Sequence, residues 1–343
     1  MGLKQNVGLA YSSARSLMYF LESIPLPYID ALVAKGTLNI EKPTPELQDK
    51  ILELLRDLLA EDAKDFEKGY FAFENPIYKS SAKHLARLAW VWADAVQLSF
   101  RKKNHNHAHF SSEAESLLQG LPEYYQRNFH FQTDGYLSES SAELYEHQVE
   151  LLFKGMADPM RRMVLRPLKE NFSHDGTGLK ILDVACGIGS ATKWLRSAFP
   201  KAQITGLDLS LPYLSSAKKR FKNDYRTDFI HGNGESLPFK DDEFDIVTSV
   251  FLFHELPKDV RSQVIKEKIR VLKPQGVLSV VDSIQSHDIP EVAWSLDHFP
   301  REFHEPFFKN YIQNPLEDIV WDQGGKNIGI RTGFYSKSLW ATK

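Results

Sequence analysis

From residue 179 onward, short apolar runs alternate with amphipathic segments, and this alternation restricts the fold more than any other feature of the chain. The apolar runs cover residues 180–184, 203–207, 228–231, 244–250 and 277–282, and helical patterns cover 191–199, 214–221 and 260–272. Strands without a polar face are typical of a parallel sheet covered by helices on both sides. The pattern therefore predicts a doubly wound α/β domain. Residues 328–331 and 339–342, around a turn near Gly333, predict a closing hairpin.

The first 172 residues predict a different structure, because no alternating strand pattern precedes residue 179. Thr44, Pro45 and Glu46 are typical of the first turn of a helix, and leucines then recur on one face. A second helix is predicted over 81–100, with an apolar face of Leu85, Leu88, Trp92, Val96 and Phe100. A polar, glycine-containing joint at 173–178 then predicts two domains: a largely α-helical one over 1–172 and the α/β one over 173–343.

Composition excludes several classes of protein. The chain has 343 residues, with 42 Lys and Arg against 45 Asp and Glu, and its net charge of −3 does not indicate a nucleic-acid-binding protein. Its one cysteine, Cys186, can form no internal disulfide, which favours a reducing compartment. No apolar stretch approaches the roughly 20 residues that span a bilayer. We therefore expect a cytoplasmic protein without membrane insertion, and the sequence leaves its oligomeric state open.

The loop after the first predicted strand carries the strongest functional signal. Gly187 and Gly189 follow the strand and precede a helix, so backbone could approach a ligand closely beside unpaired N–H groups. By themselves the two glycines also fit a tight turn. Asp208, however, ends the next strand 19 residues after Gly189, where an acid can accept both ribose hydroxyls of a nucleoside.

A dinucleotide and an adenosyl ligand both fit this arrangement, and two residues favour the second. The dinucleotide fingerprint requires a third glycine at position 192, where this chain has Thr192. An acid four residues before the first glycine, Asp183, is also foreign to that fingerprint. A nicotinamide-dependent oxidoreductase is therefore disfavoured.

Several motifs in order resemble the class I S-adenosylmethionine-dependent methyltransferases, in particular the ubiquinone and menaquinone biosynthesis group. Residues 183–189 resemble the first family motif, with Ala185 where glycine is common, and Asp208 matches the ribose-binding acid. Residues 231–239 are similar to the segment that lines the adenine, with Asn233 at the usual Asp or Asn position. Residues 244–247 look like the fourth strand. Residues 270–276 look like the turn before the fifth, with Gln275 in place of a frequent glycine.

The resemblance implies an enzyme that uses S-adenosylmethionine to methylate oxygen, nitrogen or carbon of a small organic acceptor, partly apolar or aromatic. The donor would be fixed at three successive strand ends, with its methyl carbon facing the acceptor. The expected cofactor-binding residues are Asp183, Ala185, Gly187, Gly189, Asp208, Leu209, Asn233, Gly234, Glu235, Phe251, Tyr145 and Arg161. The alternative is a non-catalytic S-adenosylmethionine-binding module whose helical domain docks a partner protein.

Two histidines are candidate catalytic residues. His254 follows the fourth strand and could deprotonate an acceptor, oriented by Glu255. The favoured alternative is a structural residue that caps the next helix or packs against the cofactor. His304 lies in the aromatic segment 299–308, which could be a substrate wall or a buried brace.

Tyr145 and Arg161 belong to a long helical pattern over 142–163. The resemblance implies that this segment folds over the cofactor, so either residue could touch the methionine carboxylate of the cofactor or the acceptor. A plain connecting helix is the other interpretation of this pattern. The helical first half is expected to close over the acceptor.

Metal and nucleic-acid chemistry are not expected. The histidine-rich group at 105–109 alternates its imidazoles in a polar stretch without an adjacent acid, which makes a poor metal cage. No Asn-Pro-Pro-aromatic segment of the kind that places a base amine occurs in the chain.

Overall fold

A computed structural model describes residues 2–34, 43–73, 81–104 and 107–343. Eight α-helices precede the sheet in these residues: α1 Leu3–Ser23, α2 Pro25–Ala34, α3 Pro45–Glu67, α4 Ser81–Lys103, α5 Ser112–Ser116, α6 Glu139–Leu152, α7 Ala157–Arg162 and α8 Leu165–Asn171. Short 3-10 turns lie at Glu123–Tyr125 and Phe129–Phe131. His105 and Asn106, part of the histidine-rich group considered above, lie outside the described residues.

The second half alternates strands and helices. Its strands are β1 Lys180–Val184, β2 Gln203–Asp208, β3 Thr227–His231, β4 Phe244–Val250, β5 Leu272–Ser283, β6 Lys326–Gly333 and β7 Ser336–Thr342. Its helices are α9 Thr192–Ala198, α10 Leu211–Arg220, α11 Lys258–Val271, α12 Ala293–Glu302, α13 Phe308–Gln313 and α14 Leu316–Asp322, with 3-10 turns at Phe253–Glu255 and Pro290–Val292.

These strands form one seven-stranded sheet in the order β3-β2-β1-β4-β5-β7-β6. Strands β1 to β5 are parallel, and β7 runs antiparallel to both β5 and β6. The predicted doubly wound domain and its closing hairpin are confirmed. Because the chain moves outward in opposite directions from β1 and β4, a crevice opens at the carboxyl ends of these two strands, where open α/β sheets bind ligands.

The core of the sheet includes side chains from the helical half. Leu58 of α3, Met160 of α7 and Leu168 of α8 pack in one cluster with Ile181 and Ile246 of the strands. The two-domain division at residues 172 and 173 stays a prediction, and the helices before it cover one face of the sheet directly. Among the described helices, none is long and apolar enough to cross a membrane.

Helix α3 begins as predicted, with the Thr44 hydroxyl accepting the Leu47 N–H at 3.3 Å. The predicted apolar face of α4 is only partly right, because Leu88 is buried whereas Leu85 and Phe100 are 62% and 47% exposed. Val91, which the pattern did not select, is buried.

The long helix predicted over 142–163 is wrong, because the chain breaks between α6 and α7. Lys154 and Gly155 there adopt left-handed backbone, with φ +52° and +81°. A Cβ on Gly155 would come within 2.8 Å of the Ser16 backbone in α1, so the break lets α1 pack closely.

Candidate active site

The loop after β1 turns through three residues with left-handed backbone, Ala185 (φ +57°), Gly187 (φ +54°) and Gly189 (φ +79°). A Cβ at Gly189 would come within 2.8 Å of the Phe221 ring, so close packing requires glycine there. A Cβ at Gly187 would meet only the Tyr213 ring, 3.8 Å away. Gly187 therefore keeps backbone open to the space above the sheet.

Asp208 ties this loop to the end of β2. Its Oδ2 accepts the Gly187 N–H at 2.7 Å, and its Oδ1 accepts the Ser210 N–H at 2.8 Å. Burial raises the pKa of this carboxyl to about 6, although the two N–H donors act in the opposite direction. The carboxylate is thus held by two backbone groups at the crevice.

Asp183, predicted to bind the cofactor, lies beneath the loop and does not line the cavity that the loop borders. Its side chain is buried and accepts hydrogen bonds from the hydroxyls of Thr192 (2.7 Å) and Thr248 (2.9 Å). Thr192, the residue that disfavoured a dinucleotide site, therefore joins β1 to the start of α9. Asp183 supports the loop from below.

The loop after β3 forms the next part of the crevice. Asn233 and Gly234 line the cavity, whereas Glu235 does not. The Asn233 amide donates to Glu235 Oε1 at 3.0 Å, and the Tyr124 hydroxyl donates to the same oxygen at 2.6 Å. Glu235 thereby joins this loop to the helical half.

The cavity lies at the carboxyl ends of β1, β2 and β4. Eight of the twelve predicted cofactor-binding residues line it: Tyr145, Ala185, Gly187, Asp208, Leu209, Asn233, Gly234 and Phe251. The structure places the other four, Asp183, Gly189, Glu235 and Arg161, around it and not in its lining.

Tyrosines form the opposite wall. Five of them line the cavity, and the sequence prediction selected only Tyr145: Tyr124, Tyr125, Tyr136, Tyr145 and Tyr213. The Tyr213 ring meets those of Tyr136 and Tyr145 edge-on, with centroids 5.3 and 5.5 Å apart. The remaining free volume is about 110 Å³, below the roughly 300–1,000 Å³ of typical ligand pockets. The cavity is therefore nearly closed in this structure, and part of its lining would have to move for a nucleoside-sized ligand to bind.

Arg161 lies behind Tyr145. Its Nη1 is 3.1 Å from Asp158 Oδ1 and 3.4 Å from Glu150 Oε1, whereas its buried Nη2 meets no acceptor in hydrogen-bonding geometry among the described residues. Burial raises the pKa of the neighbouring Tyr145 hydroxyl to about 12, although the Arg161 charge lowers it. One donor of a buried guanidinium is thus available next to the cavity wall.

His254 lies in the 3-10 turn after β4, next to Glu255. We call the part of the cavity that this turn borders, with Glu255 in its lining, the far end. Its Nδ1 contacts Asp282 Oδ1 at 2.6 Å, and its Nε2 is 3.9 Å from Glu255 Oε1. Burial lowers the pKa of His254, but the carboxylates, Asp282 first, raise it to about 9. The imidazole is therefore protonated at neutral pH, and it does not line the cavity, whereas Glu255 does.

Comparison with known proteins agrees with this geometry. A family described as "Methyltransferase domain" matches residues 181–276. The demethylmenaquinone methyltransferase of Lysinibacillus sphaericus is 32% identical over 171 residues, which cover 50% of this chain and 67% of that protein. This chain belongs to the class I S-adenosylmethionine-dependent methyltransferases. S-adenosylmethionine is the cofactor of this family.

Other relatives of this methyltransferase match a smaller share of their length. The phthiotriol/phenolphthiotriol dimycocerosates methyltransferase 1 of Mycobacterium ulcerans is 36% identical over 121 residues, 35% of this chain and 43% of that protein. Among solved structures, an S-adenosylmethionine-dependent methyltransferase from Aquifex aeolicus is 19% identical, with a TM-score of 0.41, over 60% of this chain and 97% of that one.

The second histidine predicted to be catalytic, His304, does not line the cavity of this methyltransferase. Its ring stacks on His107 with centroids 4.4 Å apart. Burial, followed by the nearby His107 and Arg127, lowers the pKa of His304 to about 4, so the imidazole is neutral. Its catalytic function stays a prediction that this position, outside the cavity lining, does not favour.

Sequence reasoning missed the residues around His254. The Tyr136 hydroxyl donates to Glu255 Oε1 at 2.5 Å, and His130 Nε2 lies 3.3 Å from the same oxygen. His130 Nδ1 in turn lies 2.9 Å from Glu305. The only signal in the sequence was that Phe129–Phe131 and the segment around His304 are both rich in aromatic residues and histidine.

Proposed function

We propose that this methyltransferase transfers the methyl group of S-adenosylmethionine to a small organic acceptor with a large apolar or aromatic part. The observation that carries the proposal is the composition of the cavity's far end. Phe251, Leu252 and Leu256 line it, and Glu255 is the charged group beside them. The names of the two relatives above, which refer to demethylmenaquinone and to phthiotriol, favour a quinone-like or lipid-like acceptor.

The residues of the crevice fit the parts of the cofactor. Asp208 offers one free lone pair on each oxygen to the two ribose hydroxyls, and Asn233 and Gly234 would border the adenine. The unpartnered Nη2 of Arg161, beside Tyr145, suits the carboxylate of the amino-acid part. The open space at Gly187 leaves room for a ligand against the loop backbone.

Bound S-adenosylmethionine supplies an electrophilic methyl group on a positively charged sulfur. The faces of Tyr136 and Tyr213 suit a cation, because the ring quadrupole is negative above the ring. To admit the ligand, we expect the 3-10 turn Glu123–Tyr125 to move outward, since Tyr124 is held to the loop after β3 by a single hydrogen bond.

Glu255, and not His254, is our candidate to accept a proton from the acceptor. His254 is protonated at neutral pH because of Asp282, so it cannot act as a base. Glu255 lines the cavity, and its carboxylate receives the Tyr136 hydroxyl at 2.5 Å. We expect His254 to position the turn that carries Glu255.

The experiment is a transfer assay with labelled S-adenosylmethionine and three acceptors: a reduced naphthoquinol, a long-chain phenol and a small polar amine. We expect turnover of the first two. In Leu252→Gln the acceptor KM should rise while the affinity for S-adenosylhomocysteine stays unchanged. The matched control is Leu211→Gln, because Leu211 is half exposed on α10 and outside the cavity. Faster turnover of the polar amine than of the other two acceptors would contradict the proposal. An equal rise of the acceptor KM in Leu252→Gln and Leu211→Gln would also contradict it.

A further inference from the structure

Four ligand-type side chains meet at the far end of the cavity. They come from the turn at Phe129–Phe131, the turn at Phe253–Glu255 and the segment before α13, and one nitrogen or oxygen atom from each lies within 4.8 Å of the others: His130, His254, Glu255 and Glu305. The three segments are remote from one another in sequence, so the tertiary fold, and not local spacing, brings these side chains together. Two imidazoles and two carboxylates are a ligand set that binds divalent transition metals.

Glu305 is the member that most needs a partner. Its side chain is fully buried, and neither carboxylate oxygen has a hydrogen-bond donor among the described residues. His130 Nδ1 lies 2.9 Å from Oε1, yet the contact lacks the angle of a hydrogen bond. A buried carboxylate without donors is costly, and such groups in native proteins are paired or coordinate a metal.

A protonated His130 between two carboxylates is the competing explanation. Burial lowers the pKa of His130, but Glu305 and Glu255 raise it to about 10. An imidazolium balances charge here, but it leaves both Glu305 oxygens without a directed hydrogen bond. A cation facing these oxygens would satisfy them regardless of the angle at His130.

Neighbouring groups orient the cluster in the way that metal sites require. Asp282 contacts His254 Nδ1 at 2.6 Å and leaves Nε2 facing Glu255. Nε2 carries a proton without the ion and would release it when the ion binds. Asp282 is itself fixed by the backbone N–H groups of Leu252 (3.0 Å) and Phe253 (2.6 Å). A carboxylate behind a ligating imidazole is the usual second layer of a metal site.

A second His and Glu group in the described residues provides a contrast. Glu22 contacts His84 Nε2 at 2.6 Å with one oxygen and His147 Nε2 at 3.0 Å with the other. Both of its oxygens are therefore partnered without an ion. Glu305 has no equivalent partners.

We propose that the cluster of His130, His254, Glu255 and Glu305 binds one divalent first-row transition-metal ion, such as Zn²⁺, Mn²⁺ or Fe²⁺, at the acceptor end of the cavity. Imidazole ligands favour these ions over Mg²⁺ and Ca²⁺. Because Glu255 also lines the cavity, the ion would lie where an acceptor oxygen could reach it. The ion would then favour deprotonation of that oxygen, and Glu255 would serve as its ligand in place of acting as the base. This consequence rests on the proposed function, whereas the binding of the ion does not.

The test uses the full chain without a histidine tag, stripped with a chelator and then titrated with Zn²⁺ and with Co²⁺ in the absence of cofactor and acceptor. We expect one tightly bound equivalent by calorimetry and elemental analysis, and visible Co²⁺ bands of a site with nitrogen and oxygen ligands. Glu305→Gln and His130→Gln should each weaken Zn²⁺ binding by at least about 10- to 100-fold, which is the effect of losing a group in the outer shell of a metal site. Glu22→Gln is the matched control and should bind as the wild type does.

Circular dichroism of each variant checks the fold, and His130→Gln serves if Glu305→Gln does not fold. Absence of a stoichiometric ion in the folded wild type would overturn the proposal and favour the imidazolium. Loss of the ion in Glu22→Gln with retention in Glu305→Gln would move the site to the other cluster and would also overturn it. S-adenosylhomocysteine binding, measured separately, reports on the proposed function alone.

Discussion

The two ends of the cavity are built in different ways. At the end where we place the donor, Ala185, Gly187 and Asp208 come from the ends of neighbouring parallel strands and the loops that follow them. Backbone N–H groups hold the Asp208 carboxylate there. At the end where we place the acceptor, side chains from remote segments meet: Tyr136 donates to Glu255, and His130 lies between Glu255 and Glu305. The donor end therefore depends on backbone conformation, whereas the acceptor end depends on tertiary packing of side chains.

This difference predicts how the two ends respond to mutation. Changes at the donor end should alter cofactor affinity, because the contacts made there are those that would hold the donor. Changes at the acceptor end should alter turnover or metal content and leave cofactor affinity intact. Four experiments test the separation.

The largest effect is expected for Gly187→Val. The side chain would enter the open space at the loop and would have to adopt φ +54°, which a β-branched residue tolerates poorly. We expect S-adenosylhomocysteine affinity in calorimetry to fall by more than about 100-fold, which is about 3 kcal/mol. Gly178→Val is the control, since Gly178 has φ +82° and open surroundings but lies outside the cavity. An equal loss of S-adenosylhomocysteine affinity in Gly187→Val and Gly178→Val would show that backbone strain, and not a side chain in the ligand space, causes the effect.

A smaller loss is expected for Asp208→Ala. Removal of an ionised acceptor for two hydroxyls should weaken cofactor binding by about 1–3 kcal/mol. Because Asp208 also holds the Gly187 and Ser210 N–H groups, Asp208→Asn, which keeps one acceptor, should retain part of the affinity. Unchanged affinity in Asp208→Ala would show that the ribose is held elsewhere.

Cofactor affinity should also depend on pH. The raised pKa of Asp208, about 6, means that the carboxyl is ionised above this value and protonated below it. Since the ionised form is the better acceptor, affinity should be full at pH 7 to 8 and should fall by about tenfold for each unit below pH 6. In Asp208→Asn the dependence in this range should disappear; if it persists, another group causes it.

The smallest effect is expected for Tyr136→Phe at the acceptor end. The variant loses the hydroxyl that donates to Glu255, an interaction of about 1 kcal/mol, so turnover should fall by about fivefold. Cofactor affinity should stay the same. Tyr225→Phe, at a ring that is 88% exposed, is the control. If cofactor affinity changed as much as turnover, the two ends of the cavity would not respond independently to mutation.

The donor end was predictable because its signals are local. Strand–glycine–helix patterns in adjacent residues place the loop after β1, and a fixed spacing leads to Asp208. The strands β1 to β4 begin and end within about two residues of the predicted bounds. The sequence did not predict which side chains at this end reach the cavity. Asp183, for example, supports the loop from below and does not line the cavity.

The acceptor end was not predictable, because a loop has no regular period that indicates which of two neighbouring side chains points towards a site. The sequence pattern selected His304, whereas Glu305 is the residue that reaches His130. The break at Lys154 and Gly155, which ends α6, results from contact with α1, more than 130 residues earlier. No metal site was expected because the ligands of the proposed site are far apart in sequence and form no local motif.

The anchoring of Asp208 has a consequence for the catalytic cycle. A carboxylate that is already fixed by two backbone groups is preorganised, so little conformational entropy is lost when a ribose binds. The ribose is identical in the methyl donor and in its demethylated product, and this contact cannot distinguish the two. We therefore expect S-adenosylhomocysteine to compete strongly with S-adenosylmethionine. The enzyme would then slow as product accumulates, unless the product is removed.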